Sequence, residues 1–218
     1  MIGSGRFSVR MMREGFIFDQ AADSLFADSG EELLYFLGLL NSPLAEHFLS
    51  AINPTLNTTA GVVKAVPVAQ LSHDQELTIA KRLIGLAESD WDAYERSWNY
   101  QSLPILTTSS EPTPNLETSY TAWFTKNRGI IAEMKRLEEE NNCLFIDAYG
   151  LQDELSPEVP IEQISLTINP AYRYGVKGTE EERNTRFRED TMAELVSYVI
   201  GCMMGRYSLD EPGLIYAN

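Results

Sequence analysis

The sequence predicts an α+β fold, predominantly α, in which short N-terminal strands precede long packed helices. Apolar and polar residues alternate with period two near the N-terminus, which is typical of half-buried strands. Ser29, Ser72 and Thr179 are each followed three residues later by Glu or Gln, the capping-box signature of a helix start. From about residue 116 to 140, apolar residues recur at spacings of three, four and seven, which indicates one long helix packed along another.

The N-terminal 27 residues are predicted to form short strands. Residues 6–10 (RFSVR) alternate polar and apolar side chains, and residues 15–18 and 24–27 make two further short runs. Two interior segments, 62–68 and 161–168, are also apolar enough to suggest extended strands, although Lys64 and Pro67 interrupt the first. The most basic local surface falls in the N-terminal segment, at Arg6, Arg10 and Arg13.

Five helices follow from the capping and breaking residues. The first runs from the cap at Ser29 to about residue 41, and Ser42-Pro43 begins the second. A third spans about residues 72–88, and the long fourth helix ends near Glu140 or continues to Tyr149. The last begins at Thr179 and ends before Gly205, a good C-cap. Its predicted packing face consists of Met192, Leu195, Val196, Val199, Ile200 and Met203.

Composition limits the classes of function. Hydrophobic residues make up 44% and charged residues 22% of the 218 residues, as in ordinary globular proteins. No segment has the apolar length of a membrane span or the apolar core of a secretory signal, so a cytoplasmic location without a membrane is expected. Cys143 and Cys202 are too few for a disulfide framework or a zinc set, and two reduced thiols packed in helices are expected. No metal site is predicted.

The net charge of −15 constrains any contact with nucleic acid. Neutralising phosphates with basic residues supplies most of the affinity of DNA-binding proteins. We therefore expect any DNA contact to be local, with the remaining positive charge supplied by other parts of a larger protein.

Two short strings invite a catalytic interpretation. Residues 169–172 (NPAY) follow a strand-like run and resemble the Asn-Pro-Pro-Tyr loop with which amino-methyltransferases hold a flipped base, but Ala171 replaces the second proline. A structural turn is the favoured interpretation. Residues 3–5 (GSG) resemble a cofactor-binding glycine loop, but a strand should precede such a loop and a helix should follow it. An N-terminal loop is favoured there, so no catalytic or cofactor-binding residue is predicted.

The aromatic residues of segment 89–100 have two possible roles. Trp91, Tyr94, Trp98 and Tyr100 lie among acidic residues. Aromatic rings can stack on bases, as in proteins that bind single strands. The acidic neighbours favour the alternative, a hydrophobic satellite cluster.

Residues 32–42 (ELLYFLGLLNS) resemble a motif in the target recognition domains of type I specificity subunits and fused restriction-modification methyltransferases. Longer stretches are similar to the PglX family, the adenine-specific methyltransferases of BREX phage-defence systems. They are residues 5–19 in part, 145–151 (FIDAYGL), 169–175 (NPAYRYG) and 198–210 (YVIGCMMGRYSLD). Family members are much longer, with the cofactor loop and the catalytic Asn-Pro-Pro-Tyr upstream of this region, so a fragment is expected.

The resemblance implies a division of roles along the chain. Residues 1–71 would be the C-terminal part of a target recognition domain, 72–100 the start of a helical spacer, 101–115 a Pro-, Ser- and Thr-rich linker, and 116–218 a helical connector. It implies double-stranded DNA, the remaining methyltransferase domains and other defence subunits as partners. S-adenosylmethionine would serve the parent protein and would not bind this segment. The candidate DNA contacts are Arg6, Arg10, Arg13, Asn57, Thr58 and Lys64.

Two rival functions remain open. An acidic, helix-rich chain with an aromatic cluster could be a protein-interaction module of a defence complex, without direct DNA contact. Alternatively, the chain could be a compact methyltransferase that uses residues 169–172.

Overall fold

The computed structural model describes residues 7–18, 23–53, 58–69 and 73–215, and within these ranges every regular element is helical. The helices are α1 (Gly30–Asn41), α2 (Pro43–Ile52), α3 (Ala60–Val63), α4 (His73–Asp92), α5 (Pro104–Thr107), α6 (Leu116–Tyr149), α7 (Pro170–Tyr174) and α8 (Glu180–Met203), with a 3₁₀ helix at Ile161–Gln163 between α6 and α7. The longest of them, α6, has 34 residues and spans about 50 Å at 1.5 Å per residue. None of the described helices combines the length and the apolar character that a membrane span needs.

The predicted α+β class is wrong, because the described residues contain no strand. Residues 7–18 and 23–29 are irregular, and side chains that a strand would half bury are exposed: Ile17 is 96% and Phe26 73% accessible. The backbone of Val9 is bonded by side chains: its N–H donates to Asn41 Oδ1 (3.0 Å), and its carbonyl accepts from Asn41 Nδ2 (3.1 Å) and from Arg10 Nη1 (2.9 Å). Among the described residues, no neighbouring strand therefore pairs with this segment, although its period-two pattern is typical of a strand.

Both interior strand predictions are also wrong. The first segment, 62–68, begins inside the short helix α3 and continues as a turn, and the second begins with the 3₁₀ helix. The predicted helix starts and ends agree better with the structure. Ser29 Oγ accepts from the Glu32 N–H, and Thr179 forms a complete capping box with Glu182. The longer alternative for the fourth predicted helix is confirmed, because α6 ends at Tyr149 and Gly150 follows with φ +66°.

The chain forms two compact units, and α4 and α6 each contribute to both. The first unit comprises Met1–Ile84 and Arg136–Val159. Its core joins α1, α2 and α6 through Tyr35, Leu39, Leu44 and Phe145. Gly38 allows α1 to approach α6 closely, since a Cβ there would lie only 2.7 Å from Asn141 Oδ1. Asn141 Nδ2 donates to the Gly38 carbonyl across the same contact (3.1 Å).

The second unit comprises Gly85–Lys135 and Pro160–Asn218. Trp123 of α6 stacks on Phe187 of α8, with ring centroids 5.4 Å apart and an interplanar angle of 7°. A separate cluster joins Tyr100, Tyr198 and Tyr207.

The packing face predicted for α8 is wrong for four of its six residues. The helix buries Phe187, Thr191, Tyr198 and Gly201, and it exposes Val196, Val199, Ile200 and Met203, whereas Met192 and Leu195 are partly buried. The expectation that both cysteines are packed is also wrong for Cys143, which is exposed on α6.

Candidate nucleic-acid contacts and the cleft of the second unit

Four of the predicted DNA contacts, Arg10, Arg13, Thr58 and Lys64, are described by the structure, and they lie outside the helices of the first unit. Arg10 and Lys64 are exposed, whereas Arg13 and Thr58 are partly buried. Arg10 follows Val9, whose two bonds to Asn41 fix this segment against α1. Lys64 is the residue that ends α3. Arg6 and Asn57 lie outside the described residues.

The backbone that follows Lys64 is held by two tyrosine side chains. Tyr149 Oη donates to the Pro67 carbonyl (2.6 Å) and accepts from the Ala69 N–H (2.8 Å). Tyr35 Oη donates to the Ala69 carbonyl (2.7 Å). Burial raises the pKa of Tyr35 well above its ordinary value, and the neighbouring Tyr149 adds to the effect, so Tyr35 stays a neutral donor. Lys64 therefore precedes an irregular segment whose backbone is bonded to the hydroxyls of Tyr35 and Tyr149.

Asn169, the residue of the near-catalytic string, has its whole side-chain amide engaged inside the protein. Asn169 Oδ1 accepts from the Ala171 N–H (3.1 Å) and so caps α7. Its Nδ2 donates to the carbonyls of Ile161 (2.8 Å) and Ile164 (2.9 Å), and the residue is only 2% exposed. Because a methyltransferase loop needs its amide oxygen free for the target amino group, this geometry supports the structural interpretation.

The second unit contains a cleft of about 620 Å³ that sequence reasoning missed. It is lined by Tyr94, Arg96, Thr167, Tyr172, Arg173 and Glu194. The guanidinium of Arg96 lies over the rings of Trp91 and Tyr94, 4.3 and 5.1 Å from their centroids, and it donates to Thr167 Oγ1. Arg96 is the only basic residue between Arg82 and Lys126, a signal that was present in the sequence.

Two carboxylates neutralise much of the positive charge of Arg173, the second arginine of the cleft. Arg173 Nη2 lies 3.0 Å from Glu194 Oε1 and 3.3 Å from Asp190 Oδ2. Burial alone would lower the pKa of Arg173, but the hydrogen bond and attraction from Glu194 outweigh it and raise the pKa. Burial also raises the pKa of Tyr94, and the charges of Glu194 and Asp90 raise it further. The cleft therefore holds the neutral phenol of Tyr94, the paired guanidinium of Arg173 and the guanidinium of Arg96 against two aromatic rings.

The aromatic segment 91–100 does not form the predicted satellite cluster. Tyr100 is buried with Tyr198 and Tyr207, Trp91 is 49% exposed beneath Arg96, and Trp98 is 99% exposed. Over the described part of the chain, no three His, Cys, Asp or Glu side chains come together as a set that could hold a metal ion.

No family model matches the chain. Its whole length is similar to the adenine-specific methyltransferase BrxX of Escherichia coli O9:H4 (strain HS), with 34% identity over 220 residues that make up 18% of that protein. It is also similar to the adenine-specific methyltransferase PglX of Lacticaseibacillus casei (strain Zhang), with 36% identity over 219 residues and 17% of that protein. The chain thus spans less than a fifth of the curated relatives it matches, and the resemblance to a segment of PglX-type proteins is confirmed.

Proposed function

We propose that the chain is a segment of a site-specific adenine-N6 DNA methyltransferase of the phage-defence or restriction-modification type. In this proposal it contributes to DNA target recognition and domain positioning, and other segments perform methyl transfer. The observation that carries the proposal is the similarity of the whole chain to parts of two adenine-specific methyltransferases.

The domain roles predicted from the sequence are part of the proposal. Residues 1–71 belong to the recognition domain, 72–100 and 116–218 form the helical spacer, and 101–115 connect its two parts. Helices α4, α6 and α8, of 20, 34 and 24 residues, support the helical character of the proposed spacer. Double-stranded DNA is the substrate of the longer protein in this proposal, and it contacts this segment when the longer protein binds it.

Methyl transfer is assigned to residues outside this segment. The amide of Asn169 is occupied by the α7 cap and two backbone carbonyls, which supports a structural role for the string at 169–172. S-adenosylmethionine accordingly binds elsewhere in the longer protein. Titration calorimetry of the chain with S-adenosylmethionine should give no binding heat, and saturable binding would favour the compact methyltransferase instead.

The DNA contacts are proposed to be Arg6, Arg10, Arg13, Asn57, Thr58 and Lys64. Exposed Arg10 and Lys64 are suited to phosphate contacts, which position a protein on DNA without reading its sequence. Because the whole chain carries a net charge of −15, the basic residues among these contacts supply only local positive charge within an acidic protein.

Fluorescence anisotropy of a labelled DNA duplex tests this assignment. The chain should bind at low salt, and Lys64→Ala should weaken binding and reduce the salt slope by about one for the lost phosphate contact. Lys81→Ala is the matched control, because it removes the same charge from an exposed position of α4. Equal effects of the two substitutions would refute the local assignment, and absence of binding at any salt would refute DNA contact by this segment.

A second candidate is an acidic interaction module that binds other defence subunits without touching DNA. The observation in its favour is the fully exposed Trp98, because tryptophan is enriched in the energetic centres of protein interfaces. Absence of DNA binding together with capture of a purified defence subunit would support this alternative.

A further inference from the structure

The second half of α8 carries an exposed apolar stripe. Val196, Val199 and Ile200 are 58%, 49% and 50% exposed, and Met203 and Met204 are 82% and 81% exposed. The spacing of three, one and three places the first four on one side of α8, and Met204 follows as the C-cap residue. We call these five residues the α8 stripe.

The first half of the same helix side is polar. Thr185, Arg188 and Glu189 lie on the line that the α8 stripe continues, and all three are exposed. The opposite side carries the buried residues of the helix, from Phe187 in the first half to Tyr198 in the second. A helix side that faced only water would carry polar residues in both halves. The change to apolar residues in the second half therefore indicates a surface that contacts another part of a protein.

Charge decides against a second copy as the occupant of the stripe. Two chains that each carry −15 repel one another, and Glu189 is exposed on the side of the helix that carries the stripe. The complementary surface is therefore apolar with a basic edge. More than four fifths of each relative lies outside the region that this chain matches, and a DNA methyltransferase must carry its positive charge in that remainder.

We propose that the α8 stripe docks onto an apolar, basic-edged surface of the same methyltransferase polypeptide outside residues 1–218. This inference rests on the proposed function and deepens it, because it names the surface through which the spacer holds the other domains.

Methionine oxidation footprinting, read by mass spectrometry, tests the docking. Oxidation rates follow side-chain exposure, so Met203 and Met204 should oxidise rapidly in the isolated chain and severalfold more slowly in the full-length polypeptide that contains it. Met134, only 6% exposed, is the internal reference that should stay protected in both. In the full-length protein, Ile200→Asp should restore oxidation of Met203 and Met204. Thr185→Asp, on the polar half of the same helix side, should not.

Every outcome bears on the proposal. Equal oxidation of Met203 and Met204 in the two proteins would overturn it. Protection that grows with the concentration of the isolated chain would overturn it in favour of a second copy, and protection only on adding another defence subunit would overturn it in favour of a separate partner. Adenine methylation of DNA by the full-length protein is measured in parallel. Its absence alongside protected methionines would refute the proposed function and leave the docking intact.

Discussion

Two irregular segments, one in each unit, differ in the side chains that form hydrogen bonds with their backbone N–H and carbonyl groups. In the first unit, residues 67–69 are held by the hydroxyls of Tyr149 and Tyr35. In the second unit, the Asp90 carboxylate accepts from the N–H groups of Thr167 (2.8 Å) and Ile168 (3.1 Å), while Asn169 donates to two carbonyls of the same segment. We call residues 67–69 the tyrosine-held segment and residues 161–168 the carboxylate-held segment.

The two segments differ in burial. Ile164 and Leu166 of the carboxylate-held segment are fully buried, and Asp90 itself is 8% exposed. The tyrosine-held segment is more open, because Pro67 and Val68 are exposed and Tyr149 is only partly buried. A buried backbone group without a partner costs more free energy than one that water can reach. The comparison therefore predicts that anchors of the carboxylate-held segment stabilise the protein more than those of the tyrosine-held segment.

The largest expected effect is that of Asp90→Ala. The substitution removes two charge-assisted hydrogen bonds and leaves two N–H groups without an acceptor, so we expect a loss of about 3 kcal/mol in the free energy of unfolding. Urea denaturation measures it. Asp90→Asn is the isosteric control, and it should recover part of the loss because one side-chain oxygen remains to accept. A loss below about 1 kcal/mol for Asp90→Ala would contradict an anchoring role.

Asn169→Ala should cost somewhat less, about 2 kcal/mol, since it removes the α7 cap and two neutral hydrogen bonds. Asn169→Asp sharpens the test. It keeps the cap acceptor but turns a carboxylate oxygen toward the carbonyls of Ile161 and Ile164, so it should be more destabilising than alanine. Thermal unfolding followed by circular dichroism gives the order of the two variants. A milder effect of aspartate than of alanine would show that the two donor bonds contribute nothing.

These segments also explain which parts of the fold could be predicted from the sequence. Helix ends were predictable because their determinants are local, as with Thr179 and Glu182. An apolar run such as 161–168 does not reveal whether its backbone will pair with a strand or with side chains distant in sequence, here Asp90 and Asn169. The strand predictions failed for this reason.

The packing face of α8 was mispredicted for a related reason. The apolar residues alone favoured the side of Val199. The helix packs on the side of Gly201 instead, because the ring of Tyr207 lies against this glycine and would collide with any larger side chain there. The cleft was missed because its residues come from three separate stretches of the chain. The predicted DNA contacts remain a prediction, since nothing in the backbone bonds of Val9 or the end of α3 distinguishes a DNA contact from an ordinary surface residue.

For the tyrosine-held segment, Tyr149→Phe should cost about 1 kcal/mol, because the lost hydroxyl serves two backbone groups that water can partly replace. Hydrogen exchange at the Ala69 amide gives a local readout and should accelerate. Tyr172→Phe provides the comparison, since Tyr172 is half exposed in the cleft of the second unit and should change stability by less than about 0.5 kcal/mol. If Tyr149→Phe cost as much as Asp90→Ala, the difference between the two segments would disappear.

A small effect is expected at the α8 stripe. In the isolated chain, Ile200→Asp should lower the free energy of unfolding by no more than about 1 kcal/mol, because half of the isoleucine side chain is already exposed and aspartate stays hydrated there, although an acidic residue in the last turn opposes the helix dipole. Tyr198→Asp, on the buried side of the same helix, should cost several times more, because it places a carboxylate beside Tyr100 and Tyr207. Chemical denaturation of both variants separates the two sides of α8. A large loss for Ile200→Asp would mean that the stripe packs within the chain itself, and the docking surface would then have to be sought elsewhere.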